Sequence, residues 1–146
     1  MTTSAIEQYP TSPPIWLKVA ATLGMVWYAF GLLQFWLGYS TNVDAAVASG
    51  AMTAAHGDAL ATTPALIWLA YAVASAAGLI GSALLFVSAH RARAMFAVSL
   101  VSAAVYYIWV YALSGTGADR PTQEVFIAIT VITVTLGFAL LSRRMT

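Results

Sequence analysis

Four long stretches of this chain are almost free of charge, and they constrain its fold more than any other feature. A bilayer core about 30 Å thick takes about 20 consecutive apolar residues per spanning helix. Runs of that kind cover 15–38, 65–88 and 94–113, with a shorter fourth over 125–141. Only 8% of the 146 residues are charged, against 61% hydrophobic, whereas a soluble surface carries about 25–35% charged residues. Most of the surface must face lipid. The expected fold class is all-α, a polytopic membrane protein built as a four-transmembrane-helix bundle.

Local chemistry agrees with these limits. Pro13 and Pro14 precede the first run, Thr63 and Pro64 read as N-cap and first turn of the second, and Pro121 with Thr122 and Glu124 opens the fourth. Ser114 and Gly115 close the third. The stretch 1–14 is polar, with Glu7 and no basic leader, and reads as a short tail, as does 143–146. One membrane domain is expected over 15–142. Between the first two runs, 41–63 is Ala-rich and carries Asp44, His56 and Asp58. Thr41 and Asp44 are spaced as a capping pair, which predicts an external amphipathic helix on the membrane surface or over the bundle mouth.

Basic residues set the orientation. Lys18, Arg91, Arg93, Arg143 and Arg144 fall on one side of the spans and Arg120 on the other, together with Asp44, Asp58, Asp119 and Glu124. By the positive-inside rule both termini are expected to be cytoplasmic. Lys18 sits one turn inside the first span, where its long stem reaches the headgroups.

Each span shows one small or polar face. At 100° per residue the first places Trp16, Ala20, Gly24, Trp27, Gly31, Gln34 and Gly38 on one stripe. The second carries Ala74, Gly78 and Ser82 at four-residue spacing, with Ser75 and Gly81 beside them. Small residues of this kind allow close backbone approach, the main source of helix association in lipid. On the third, Ser99, Ser102, Tyr106 and Trp109 share a face, and on the fourth, Thr130, Thr133 and Gly137. Turned inward, these faces give an interior holding Trp27, Gln34, Tyr106 and several hydroxyls. Hydrogen-bonding groups beside stacking rings suit a neutral ligand of sugar, quinone or isoprenoid type, although the hydroxyls equally satisfy carbonyls one turn earlier. Trp36, Tyr39, Trp68, Tyr71, Tyr107 and Tyr111 collect in the outer halves, where an interfacial aromatic belt is expected.

Chemistry-bearing residues are sparse. His56 and Asp58, with Asp44 near in sequence, supply too few ligands for a metal site to be expected. His90, beside Arg91 and Arg93, reads as a headgroup-facing loop histidine. No Asp or Glu lies in the apolar runs and the chain has no cysteine, so an embedded carboxylate for ion coupling and a thiolate nucleophile are both missing. No catalytic residue is expected. A net charge of +1 offers no field for nucleic acid.

Particular residues also carry a family resemblance. The opening Pro14-Ile15-Trp16-Leu17-Lys18-Val19 with Trp27 and Gly31, then Pro64-Ala65 with Trp68, Gly78 and Gly81 before Leu84-Leu85, and Phe96 with Ser99-Leu100 resemble a family of small four-span proteobacterial inner-membrane proteins. Members often carry the label sugar transporter, and the shared positions are structural rather than catalytic.

Taken from the residues, the leading functional expectation is a non-catalytic accessory or structural subunit docking onto a larger respiratory or photosynthetic membrane complex. The other is a carrier for a neutral, sugar-like or lipid-like solute, working as a homo-oligomer with Trp27, Gln34 and Tyr106 along its path. Its expected partners are membrane lipid and other integral subunits or further copies of itself. No intrinsic cofactor is expected, with room for a bound lipid, quinone or pigment.

Overall fold

The computed structural model describes residues 14–114 and 122–143, without the side chains of 89, 122–124 and 141–143. Its order is α1 (Ile15–Ser40), α2 (Val43–Ala48), α3 (Ala54–Ala61), α4 (Ala65–Leu84), α5 (Ala89–Ile108), a π turn (Trp109–Leu113) continuing α5, and α6 (Thr122–Arg143). No strand occurs among the described residues. Three stretches, Ile15–Ser40, Ala65–Leu84 and His90–Leu113, are long and apolar enough to cross a membrane, and Val125–Leu140 is apolar but shorter. This is a helical membrane protein.

Apolar composition marks depth in the bilayer rather than helix ends, and two boundaries move accordingly. α4 stops at Leu84 instead of continuing to 88, because its last turn tightens: the Phe86 and Val87 amides bond to the Ala83 and Leu84 carbonyls at 3.2 and 3.0 Å. α5 then starts at Ala89, five residues before the expected 94. His90 is consequently an exposed residue of its first turn rather than of a loop, with Arg91 and Arg93 exposed beside it. Capping differs as well. Thr41 ends α1 and donates its hydroxyl to the Leu37 carbonyl, while Asn42 caps α2 by accepting from the Ala45 amide at 3.0 Å. Pro64 occupies the N-cap of α4 with no side-chain cap, and Thr63 donates to the Ala59 carbonyl at 2.6 Å.

The single helix expected over 41–63 is two short ones. A turn through Gly50, the one described residue with positive φ (+73°), folds α3 back, and Gly57 seats between Val43 and Val47 of α2.

α1 packs on α4, α4 on α5 and α5 on α6. The α1–α4 seam interlocks small against large. Gly24 faces Ser82, Gly78 faces the Tyr28 ring, Gly31 faces Ser75 and Gly38 faces Trp68. Numbers rise on one helix as they fall on the other, so the pair is antiparallel. The buried face of α1 is therefore Leu17, Ala21, Gly24 and Tyr28. Relative to the expected stripe it is rotated by roughly 75°, which leaves Trp16 52% exposed. The three glycines fit either rotation, and the hole left by Gly78 for a tyrosine selects this one.

On α6 the expected inward face is reversed. Thr130, Thr133 and Gly137 are exposed, and the buried positions are Ala128 and Thr135. A threonine on a membrane helix satisfies itself, as Thr130 does by donating to the Phe126 carbonyl at 2.7 Å, so facing lipid costs it little. Thr135 bonds the Val131 carbonyl at 2.8 Å and accepts from the Tyr28 hydroxyl at 2.8 Å, tying α6 to α1. Tyr28→Phe removes this bond and leaves Thr135 satisfied. A loss of about 0.6 kcal/mol is expected, read as a small drop in unfolding midpoint in detergent.

The remaining core is aromatic. Phe96 is fully buried, stacked on Phe138 at 5.1 Å between ring centroids and 6.4 Å from Tyr28, against Gly81. The tails, Pro13, Gly115, Asp119, Arg120, Pro121 and Arg144 lie outside the described residues, as do the side chains of Glu124 and Arg143.

Candidate functional site

Two adjoining cavities lie among the packed helices. The inner one, about 120 Å³, is walled by Trp27, Tyr28 and Gly31 of α1, Tyr71, Ala74 and Ser75 of α4, Ser99, Ala103, Tyr106 and Tyr107 of α5, and Ile127 and Val131 of α6. The outer one, about 270 Å³, lies under α3, which contributes His56 and Leu60. Gln34, Tyr71, Tyr106, Tyr107 and Ile127 line both. The space thus runs from mid-helix to a mouth capped by α3.

Its shape arises from local sequence. Rings at three- and four-residue spacing stack along one side of a helix, and here they continue across helices. Tyr71 meets Tyr106 at 4.7 Å, Tyr106 meets Tyr107 at 5.2 Å, and Tyr107 meets Tyr111 at 6.1 Å. Phe35 of α1 joins the cluster edge-on to Tyr71 at 6.1 Å. The π turn begins two residues after Tyr107, with the Ser114 amide bonded to the Trp109 carbonyl at 2.9 Å. One extra residue in a turn rotates the side chains within and beyond it, and Val110 and Tyr111 of that turn line the outer cavity.

Polar groups divide into those already satisfied and those left for something else. Ser99 donates across to the Ala74 carbonyl of α4 at 2.7 Å rather than to its own helix. Ser82 bonds the Gly78 carbonyl at 2.9 Å. Ser75 is different. The residue is 95% buried and lines the inner cavity, and its hydroxyl has no hydrogen-bond partner among the described residues. A buried, unsatisfied hydroxyl costs about 1–3 kcal/mol.

Of the residues expected to line a ligand path, Trp27, Gln34, Ser99 and Tyr106 come together here, with Gln34 more exposed than an interior residue. Ser102 is half-buried outside both linings, and Thr130 and Thr133 face outward. Of the packing residues, Gly24, Gly31, Ala74, Gly78, Gly81 and Ser82 lie in contacts, whereas a Cβ at Gly137 meets nothing within 4 Å. Lys18, Arg91 and Arg93 are exposed. The aromatic belt splits. Trp36 and Tyr39 are each 61% exposed, while Tyr71, Tyr107 and Tyr111 turn to the cavity. Sequence reading missed Tyr28 and Phe35 as interior groups, because a ring in an apolar run looks the same on either face, and it placed Ser75 on the packing face without marking it as a cavity residue.

Among the described residues no cluster of three His, Asp or Glu is placed to hold a metal. Comparison with known proteins finds no matching family, no curated relative and no similar solved structure.

Proposed function

We propose that this chain is a four-span, non-catalytic inner-membrane protein with cytoplasmic termini whose bundle binds a neutral, ring-sized group bearing a hydrogen-bond acceptor. Val125–Leu140 is the fourth span, about 24 Å at 1.5 Å per residue, short enough that the bilayer thins or the flanking residues snorkel. The distribution of Lys18, Arg91 and Arg93 against Asp44 and Asp58 supports the orientation.

The observation that carries the binding reading is the Ser75 hydroxyl, buried and unpaired at the wall of an aromatic cavity. A cavity near 150 Å³ holds a single benzene-sized ring, and the inner space of about 120 Å³ reaches that size together with a small part of the adjoining outer space of about 270 Å³. A hexose fits poorly, since its many hydroxyls would face ring carbons and lose water without replacement. A flat ring with a carbonyl fits better: it stacks on tyrosine and accepts from Ser75. Apart from tyrosine, the described lining of the inner cavity holds no ionisable side chain, which supports binding over acid–base chemistry.

The test is thermal stabilisation in lipid nanodiscs by a small alkylated benzoquinone and, separately, by glucose. Stabilisation by the quinone is expected, with affinity about fivefold weaker in Ser75→Ala, the worth of one neutral hydrogen bond. Stabilisation by glucose, or identical affinities in the two proteins, overturns the reading.

The accessory-subunit reading draws on the exposed α1 stripe of Ile15, Val19, Leu33 and Leu37, a face suited to another membrane helix. Mild-detergent purification from native membrane separates the two. A stoichiometric integral partner supports docking, and a lone homo-oligomer supports the carrier.

A further inference from the structure

The ring-binding reading leaves open which phase the ligand comes from, and a third space bears on that. A groove of about 720 Å³ opens between α1 and α6, walled by Leu23, Trp27 and Phe30 on one side and Phe138 on the other, with Gly24 and Gly137 adding no side chain. Trp27 and Phe30 also line the inner cavity, so the two spaces adjoin across those rings. Along α1 the groove runs from Ala20 to Phe30, about 15 Å at 1.5 Å per residue. No charged residue lines either space among the described residues.

We propose, resting on the ring-binding reading, that the ligand is a membrane-dissolved molecule with a flat carbonyl-bearing ring and one long apolar tail. The ring lies in the inner cavity with its carbonyl accepting from Ser75, and the tail lies in the α1–α6 groove. Entry is sideways from the bilayer. A phospholipid does not fit this division, because its charged headgroup would enter an uncharged aromatic cavity without a counter-ion. In the bilayer the tail gains little from leaving lipid, since lipid is as apolar as the groove. Its gain is the excess of dispersion contact with the fixed rings of Trp27, Phe30 and Phe138 over that with fluid lipid tails, about tenfold for a net excess of a dozen close atom pairs.

The probes are a decyl-substituted benzoquinone and the same ring without the tail, titrated against the full chain in nanodiscs at matched membrane concentration. Wild type should bind the tailed probe about tenfold more tightly. Gly137→Leu fills the groove from an exposed position where a Cβ meets nothing, so the fold should persist, and thermal unfolding checks that it does. This variant should bind both probes equally, at the affinity of the tail-less ring in wild type. Leu23→Trp narrows the same groove from α1 and should act alike. If both probes bind wild type equally, or the tailed probe keeps its advantage in both folded variants, the tail site is wrong and the ring site stands. If neither probe binds wild type, both readings fall.

Discussion

Gly78→Leu is expected to destabilise the protein by about 2–4 kcal/mol, whereas Ile80→Leu two residues away should fall within about 0.5 kcal/mol of wild type. The difference lies in what each side chain meets. A Cβ on Gly78 would overlap the edge of the Tyr28 ring, while Ile80 is 49% exposed on the opposite side of α4. Leucine therefore forces α1 and α4 apart or expels the tyrosine. Expelling it breaks the 2.8 Å bond to Thr135 and so removes a tie between α1 and α6. Since close backbone approach supplies much of the association energy in lipid, separating this pair also loosens the seam at Gly24, Gly31 and Gly38. Unfolding by denaturing detergent, monitored by circular dichroism, measures both variants. Equal midpoints would show that the α1–α4 seam contributes nothing.

Phe96→Ala should cost about 3 kcal/mol, in the range for buried aromatic truncations. Part of that range comes from transfer out of water and is weaker in a bilayer, where an unfolded chain keeps its phenylalanine among lipid tails. The packing part remains. Phe96 is fully buried, stacks on Phe138 at 5.1 Å and touches Gly81, so truncation opens a void joining α4, α5 and α6. Phe96→Leu should recover more than half of the loss, because it refills most of the volume. The same unfolding assay applies, and an alanine variant as stable as wild type would place this cluster outside the stabilising core.

The sequence was informative where a residue's chemistry has one acceptable environment. Gly24, Gly78 and Gly81 in long apolar helices indicate close packing, since glycine weakens a helix unless something approaches. Lys18, Arg91 and Arg93 carry charges that cannot be packed among apolar side chains, and all three are exposed. It was uninformative where a residue suits either face. Thr130, Thr133 and Thr135 each can bond a carbonyl one turn back, and only Thr135 meets a partner across the interior. Ser75 reads in sequence as one more small packing residue beside Ala74 and Gly78, yet its hydroxyl lies at a cavity wall.

Length and charge by themselves determined that this chain is helical and belongs in a membrane, and small residues indicated which sides of α1 and α4 approach. The rotation of α1, the outward turn of Gly137 and the meeting of Tyr71, Tyr106 and Tyr107 from two helices were decided only by tertiary structure. The physical reason is that lipid and protein interior are equally apolar, so no hydrophobic gradient tells a ring which way to face. Shape does: a tyrosine goes where a glycine on the next helix leaves room for it.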